Sequence, residues 1–298
     1  MIAGIREDEV TQMVARTTWD PLQKYTEGIM PKVHLAHPAA ALNDMDLECI
    51  QEWDEWPKEK LLMQPFGTMV FDCANHNTIC SLILGAVGEI TKANNFTVYA
   101  PQLEDNNTKV LISFLIYDLT AQQKQSLLTC HIWSSPQITF HVLNFEPECP
   151  DFLFTIKGLS TLREQEVFAV ILDTWHDNET NSFLLSICEQ AGNPEVAIMH
   201  EMLMDFTDAV WMAKIDTRER GNILAPSFRV FTPGALIPNA CTWCHLRKYL
   251  ASRSYSIQHQ SPGTSIKPSK MCTICHGTNH PRGLCPFLNV TGWNGPLH

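Results

Sequence analysis

The spacing of apolar and polar positions predicts a mixed α+β body in the middle of the chain. Residues 110–117 form a continuous apolar run with the length of a buried strand. Residues 138–145 and 152–156 alternate between apolar and polar side chains with period two, which is typical of strands that pair as a hairpin. Residues 183–188 are short and apolar and are predicted as a fourth strand.

Two helices are predicted between these strands. Thr120 and Gln123 have the spacing of a helix capping box, and Thr161 and Glu164 repeat it. Apolar residues recur at helical spacing after the second box. The resulting order over about residues 109–190 is β-α-β-β-α-β. This order predicts a ferredoxin-like (RRM-like) core, the architecture that RNA-recognition motifs use.

The rest of the chain is divided by composition into flanking parts. We expect residues 1–60 to be a partly helical N-terminal arm that prolines interrupt, and residues 61–239 to be an acidic α+β body. Residues 240–271 are predicted to be a basic segment and flexible linker. Residues 272–298 are predicted to hold a zinc knuckle and a short tail.

Charge is distributed unevenly along the sequence. No Asp or Glu follows Glu219, and residues 220–298 carry eight Lys or Arg residues. Because the whole chain carries −11 and these cations contribute +8, the first 219 residues carry −19. An acidic body with a basic end indicates binding of nucleic acid or another polyanion through that end, although a solubilising body with an ordinary basic end has the same composition.

The strongest chemical motif is a group of three cysteines and one histidine near the C-terminus. They follow the spacing C-x2-C-x4-H-x4-C, which is the spacing of a CCHC knuckle. Three thiolates and one imidazole make a complete tetrahedral set, so one structural zinc ion is expected. Gly277 and Gly283 are expected to provide tight turns. The predicted ligands are Cys272, Cys275, His280 and Cys285.

The residues around this motif resemble a known family. The continuation from Cys275 to Phe287, and Gly-Trp-Asn-Gly-Pro at residues 292–296, resemble the C-terminal signature of retrotransposon Gag-like proteins and the zinc knuckles of LINE first-ORF-like proteins, of the kind abundant in basidiomycete fungi. The resemblance covers about the last thirty residues. It implies binding of single-stranded RNA or DNA by a structural component of a retroelement or a domesticated copy, with possible self-association through the body.

Some positions depart from the family pattern. The knuckles of this family place an aromatic residue after the first cysteine and glycines after the second cysteine and before the histidine, where this chain has Thr273, His276 and Asn279. Contacts with an unpaired base or its phosphate are therefore expected from other side chains by apolar contact, charge and stacking. The candidates are Ile274, Arg282, Lys270, Lys267 and Trp293.

A second C-x2-C pair, Cys241 and Cys244, leaves three alternatives open. With Cys272 and Cys275 it would make a four-cysteine zinc ribbon with a long loop. With His245 it matches a c-type haem attachment pattern. Alternatively, the two residues are thiols on a basic helix that runs to Tyr249.

No recognisable catalytic motif is present, and no enzymatic activity or small-molecule substrate is expected. The acidic N-terminus does not match a signal peptide and the apolar runs are too short for a membrane span, so a cytoplasmic or nuclear protein without membrane contact is expected. The alternative function is a zinc-dependent protein-interaction adaptor without a nucleic-acid role, whose body would present Trp53 and Trp56 to a partner.

Overall fold

The computed structural model describes residues 30–43, 45–57, 59–67, 76–102, 113–190, 196–218, 224–256, 262–266 and 271–297. By their internal contacts they form two units. The first unit contains the residues up to Val33, Ala39–Pro147 and Cys272–His298, and the second contains His34–Pro38 and Glu148–Met271. The protein is therefore a mixed α+β chain in which the C-terminal residues belong to the same unit as residues 39–147.

The first unit is built on an antiparallel five-stranded sheet in the order β2-β3-β1-β5-β4. Strand β1 has six consecutive buried positions and lies at the centre of the sheet, between β3 and β5. Apolar side chains of the sheet and of two flanking helices form the core of this unit. Its elements are α1 (Leu47–Glu55), β1 (Glu59–Pro65), α2 (His76–Thr91), β2 (Thr97–Tyr99), β3 (Phe114–Leu119), α3 (Ala121–Leu128), β4 (Ile132–Ser134) and β5 (Thr139–Asn144).

The second unit is built on an antiparallel four-stranded sheet in the order β7-β8-β6-β9. Its helices cover a separate core that includes Trp175, Phe206 and Trp243. The elements are β6 (Phe152–Lys157), α4 (Glu164–Trp175), α5 (Asn178–Gln190), α6 (Val196–Asp208), β7 (Trp211–Arg218), β8 (Leu224–Phe231), α7 (Ala240–Ser252) and β9 (Thr264–Ile266).

The local signals that start the helices agree in part with the structure. Thr120 caps α3 as predicted: its side chain accepts a hydrogen bond from the Gln123 amide, and the Gln123 side chain accepts one from the Thr120 amide. The second box is displaced by two residues. Helix α4 begins at Glu164, and the Glu166 carboxylate accepts a hydrogen bond from the Arg163 backbone amide.

The ferredoxin-like order is not confirmed. Residues 183–188, predicted as a strand, lie within helix α5. Strands β3 and β5 belong to the five-stranded sheet, whereas β6 belongs to the four-stranded one, so the predicted hairpin of residues 138–145 and 152–156 does not form. The aromatic side chains that an RNA-recognition motif would expose are in the core, since Phe140, Phe152 and Phe154 are all buried.

The flanking parts contain regular structure. Helix α7 opens the segment 240–271, where a basic helix to Tyr249 was one of the expected alternatives, and strand β9 lies in the part expected to be a flexible linker. Residues 47–55 of the expected partly helical N-terminal arm form α1, and its Trp53 is fully buried. The predicted helical spacing over residues 7–18 lies outside the described residues.

Candidate metal centre

The four predicted ligands converge on one point in the first unit. One sulfur or nitrogen atom from each of them lies within 4.8 Å of all the others, and all four side chains are buried. Two come from the turn that precedes His276, and the other two flank a short 3₁₀ helix, Arg282–Leu284. The group is formed by Cys272, Cys275, His280 and Cys285 and can hold one metal ion.

A compact turn places the first two cysteines together. The His276 amide donates to the Cys272 carbonyl oxygen at 2.8 Å, and the Cys272 amide donates to the Gly277 carbonyl oxygen at 2.8 Å. The chain can close this tightly because His276 adopts the left-handed conformation, with φ 63°. The glycines expected to take this role do not: neither Gly277 nor Gly283 has a positive φ.

Gly277 is needed for a different reason, which is space. A Cβ atom there would lie 3.3 Å from the Cys275 sulfur, 3.4 Å from the Asn279 Oδ1 atom and 3.4 Å from the His280 Cε1 atom. Its amide also donates to the Cys275 sulfur at 3.4 Å. A methyl group at this position would therefore press on the Cys275 sulfur and lie in van der Waals contact with the His280 ring.

The His280 ring is oriented by its neighbour. Its Nδ1 atom lies 2.7 Å from the Asn279 Oδ1 atom, a carbonyl oxygen that only accepts hydrogen bonds, so Nδ1 carries the proton. The other nitrogen, Nε2, points to the Cys275 sulfur at 3.4 Å and has its lone pair available for a metal. A hydrogen-bond acceptor on the remote nitrogen is the usual support for a histidine ligand.

The thiols are coupled through mutual hydrogen bonds. Hydrogen bonds from Cys275 and Cys285 lower the pKa of the Cys272 thiol far below its ordinary value. The same contact with Cys272 raises the pKa of Cys275, and it raises that of Cys285 to about 11. Three buried thiolates repel one another, and a cation in their midst removes that repulsion. With four protein ligands and no open position, the donor set fits a structural ion rather than a catalytic one.

The knuckle, residues 272–285, is attached to the end of strand β1 by two hydrogen bonds. The Gly67 amide donates to the Ile274 carbonyl oxygen at 3.2 Å. The His276 Nε2 atom lies 3.2 Å from the Pro65 carbonyl oxygen and donates to it. The His276 ring also contacts Phe66 edge-on, with ring centroids 6.3 Å apart. His276 is thus not a ligand but the residue that connects the knuckle to the sheet.

Aromatic packing strengthens this attachment. Phe66 lies 5.3 Å from Phe287 and 5.5 Å from Trp293 between ring centroids, and Phe287 and Trp293 are 4.9 Å apart. Phe287 belongs to the 3₁₀ helix Pro286–Asn289 that directly follows the knuckle. We call residues 272–297 the C-terminal segment; this segment is part of the first unit rather than a tethered module.

The Gly-Trp-Asn-Gly-Pro sequence at residues 292–296 has a structural role here. The Trp293 indole N–H donates to the Pro296 carbonyl oxygen at 3.3 Å, and the Asn294 amide donates to the Ser134 hydroxyl oxygen at 3.2 Å. Gly295 lies against the indole so closely that a Cβ there would be 2.2 Å from a ring carbon. At Gly67, whose φ is +74°, a Cβ would be 2.4 Å from a Pro296 side-chain atom. These residues close the C-terminal segment onto the sheet.

The predicted nucleic-acid contacts are only partly available. Arg282 is exposed, as a phosphate contact requires. Ile274 is fully buried, which corrects the expectation that its side chain contacts a base, because a buried side chain cannot reach one. Trp293 is half-buried and packs against Phe66 and Phe287. Lys267 and Lys270 lie outside the described residues.

The sequence did not predict which residues of the sheet contact the knuckle. Pro65, Phe66 and Gly67 lie more than 200 residues before the knuckle, and no local pattern connects them to it. The one available signal was His276, which stands where the Gag-like knuckles that this segment resembles have glycine.

Cys241 and Cys244 do not take part in this centre. They lie on α7 of the second unit, as expected for thiols on a helix, while Cys272 and Cys275 group with His280 and Cys285 instead of completing a four-cysteine ribbon. Among the described helices, none is long and apolar enough to cross a membrane. Comparison with family models, curated proteins and solved structures finds no match to this chain.

Proposed function

We propose that the cluster of three cysteines and one histidine binds one zinc ion with a structural role. Sulfur and imidazole nitrogen donors in a tetrahedral set are the ligands that zinc prefers, and this set is fully buried. The ion would hold the knuckle in the shape that His276 and Ile274 present to strand β1. Metal binding would then contribute to the stability of the first unit as well as to that of the knuckle.

We further propose that the protein binds single-stranded nucleic acid, as a Gag-like or LINE-ORF1-like structural component of a retroelement or a domesticated copy. The observation that carries this proposal is the exposed Arg282 on the knuckle, within a stretch of 79 residues that has eight cations and no carboxylate. The resemblance of the last thirty residues to Gag-like proteins supports the same conclusion. Binding through one arginine and neighbouring lysines is mainly electrostatic and weakly selective for sequence.

The test is fluorescence anisotropy of a labelled single-stranded RNA titrated with the zinc-loaded full chain. Arg282→Ala should weaken binding to unrelated sequences alike, by a few-fold, and should lower the slope of log affinity against log salt by about 0.7, as expected for one lost phosphate contact on a single strand.

The matched control is Arg163→Ala, another exposed arginine, which is the N-cap residue of α4 and pairs with Glu166 at 2.9 Å. It should leave affinity and salt slope unchanged. An affinity that does not depend on salt, or equal effects of the two variants, would contradict the proposal.

A second candidate function is a zinc-dependent protein-interaction adaptor, and one observation favours it. The side chains that a free knuckle could offer to bases are packed inside the first unit, while Leu284 and Leu288 beside Arg282 are 47% and 36% exposed. Exposed leucines on a small, rigid surface suit contact with a protein partner. If the zinc-loaded chain binds no single-stranded RNA or DNA at low salt, the adaptor becomes the better proposal.

A further inference from the structure

A second group of metal-binding side chains lies on helix α7. Cys241, Cys244 and His245 are spaced i, i+3 and i+4, which places them on one face of an α-helix. All three are exposed, whereas Trp243 and Leu246 on the other side of the helix are buried in the core of the second unit. The Cys241 sulfur lies 4.0 Å from the His245 Nδ1 atom.

A fourth donor, Cys149, lies in the segment beside this face. The Trp243 indole N–H donates to the Pro150 carbonyl oxygen at 2.9 Å, and the Arg247 Nε atom donates to the Leu153 carbonyl oxygen at 2.6 Å. These bonds fix helix α7 against the chain that leads into β6. Cys149 is close enough to Cys244 for the two thiols to interact electrostatically.

The backbone at Cys149 is also held from the other side. Gly234 approaches it so closely that a Cβ on the glycine would lie 1.8 Å from the Cys149 carbonyl oxygen. The Gly234 amide donates to the Asp151 carboxylate at 3.0 Å. These contacts, with the hydrogen bonds of Trp243 and Arg247, fix the backbone at Cys149 relative to α7.

The start of helix α7 is fixed by a cap. Cys241 is in the first turn of the helix, where the Asn239 side chain accepts a hydrogen bond from the Thr242 amide at 2.9 Å. The cap orders the turn that carries Cys241, Cys244 and His245.

We propose that Cys241, Cys244 and His245, with Cys149 as the fourth ligand, form a second binding site for a thiophilic divalent ion such as Zn²⁺. This site would have the same donor types as the knuckle but a different character. Three of its four ligands are exposed rather than buried, so the ion would exchange with solution more readily than the ion of the knuckle. The site does not depend on the proposed nucleic-acid function.

The experiment is a count of bound metal on the full chain in the presence of a phosphine reductant, which keeps Cys241 and Cys244 from forming a disulfide. Zn²⁺ per chain would be measured by competition with a chromophoric chelator and by native mass spectrometry. The wild type should bind two equivalents, and Cys241→Ser with Cys244→Ser should bind one. Cys130→Ser, a partly exposed cysteine outside both groups, is the control and should bind two.

Two outcomes would overturn the proposal. One is a single equivalent of Zn²⁺ in both the wild type and the Cys241→Ser/Cys244→Ser variant. The other is an unchanged stoichiometry of two in that variant. Because these cysteines are exposed, the variant should keep its far-ultraviolet circular dichroism, and the count does not depend on whether the knuckle variants fold.

The fourth ligand is tested separately with Co²⁺ as the probe. In a Cys272→Ser/Cys285→Ser background, adding Cys149→Ser should lower the thiolate-to-cobalt charge-transfer absorption by about one third, from three thiolates to two. An absorption that Cys149→Ser leaves unchanged would remove Cys149 from the site.

Discussion

At the scale of single residues, the knuckle depends on a histidine in a backbone conformation that glycine would adopt more easily. The left-handed conformation costs a non-glycine residue about 1 kcal/mol. His276 offsets that cost with contacts that glycine cannot make, because its Nε2 atom donates to the Pro65 carbonyl oxygen and its ring packs on Phe66. The attachment to the sheet therefore stabilises the left-handed conformation of His276.

The two glycines of the knuckle should respond differently to the same substitution. Gly277→Ala should weaken zinc binding about tenfold, because the added methyl group presses on the Cys275 sulfur. Gly283→Ala should have no effect, because no atom lies within 4 Å of the position of its Cβ. Chelator competition in a Cys241→Ser/Cys244→Ser background would measure both. Equal affinities of the two variants would show that the close approach at Gly277 does not constrain the ligands.

At the scale of elements, short-range sequence patterns predicted some individual strands and helices and missed others. The period-two alternation gave β5 and β6 correctly, and the capping box gave α3. The strand predicted for residues 183–188 was wrong because their apolar positions also fit helical spacing. The helix buries Leu184, Ile187 and Cys188 and packs the partly buried Phe183 against the same core. Strand β1 was missed because its six consecutive buried positions have no alternation and it ends in a proline.

The metal ligands could be predicted from the sequence, whereas the attachment of the C-terminal segment could not. The ligands lie within 14 residues of one another, so their spacing alone predicted the group. The attachment joins Gly67 to Ile274 and Pro65 to His276, and such contacts depend on the whole fold of the first unit. A motif can therefore reveal a metal centre without revealing which of its surfaces is already occupied.

Loss of the metal should release this attachment, and two neighbouring amides would report it. The Gly67 amide donates to the Ile274 carbonyl oxygen, whereas the Phe66 amide donates to the Thr139 carbonyl oxygen within the sheet. In the Cys272→Ser/Cys285→Ser variant, hydrogen exchange of Gly67 measured by NMR should accelerate by about tenfold or more, and that of Phe66 should change less. A Gly67 amide as protected as in the wild type would mean that the C-terminal segment stays attached without metal.

At the scale of the whole molecule, a buried histidine makes the first unit sensitive to acid. Burial lowers the pKa of His141 to about 3, and His131, His276 and Lys32 add to the effect. Between this value and the ordinary histidine pKa of about 6.5, the unfolded chain takes up a proton that the folded chain does not. The free energy of unfolding should therefore fall with decreasing pH over this interval, by at most about 1.4 kcal/mol per pH unit from this group.

Urea unfolding of the wild type and His141→Gln at pH 7 and pH 5 measures this contribution. The wild type should lose about 2 kcal/mol more than the variant between the two pH values. The comparison cancels the acid sensitivity of the metal ligands, which both proteins share. Equal losses would mean that His141 accepts a proton in the folded state without penalty.

The order in which the chain passes through its two units has a consequence for synthesis on the ribosome. The second unit, apart from His34–Pro38, is a single stretch, Glu148–Met271, and all of it is translated before the knuckle. The first unit is interrupted by that stretch, and the contacts of Pro65, Phe66 and Gly67 with the C-terminal segment cannot form until Cys272–His298 has emerged. During the translation of the more than one hundred residues of that stretch, the five-stranded sheet lacks the aromatic side chains that cover Phe66. Chaperones can bind the exposed Phe66 during that interval.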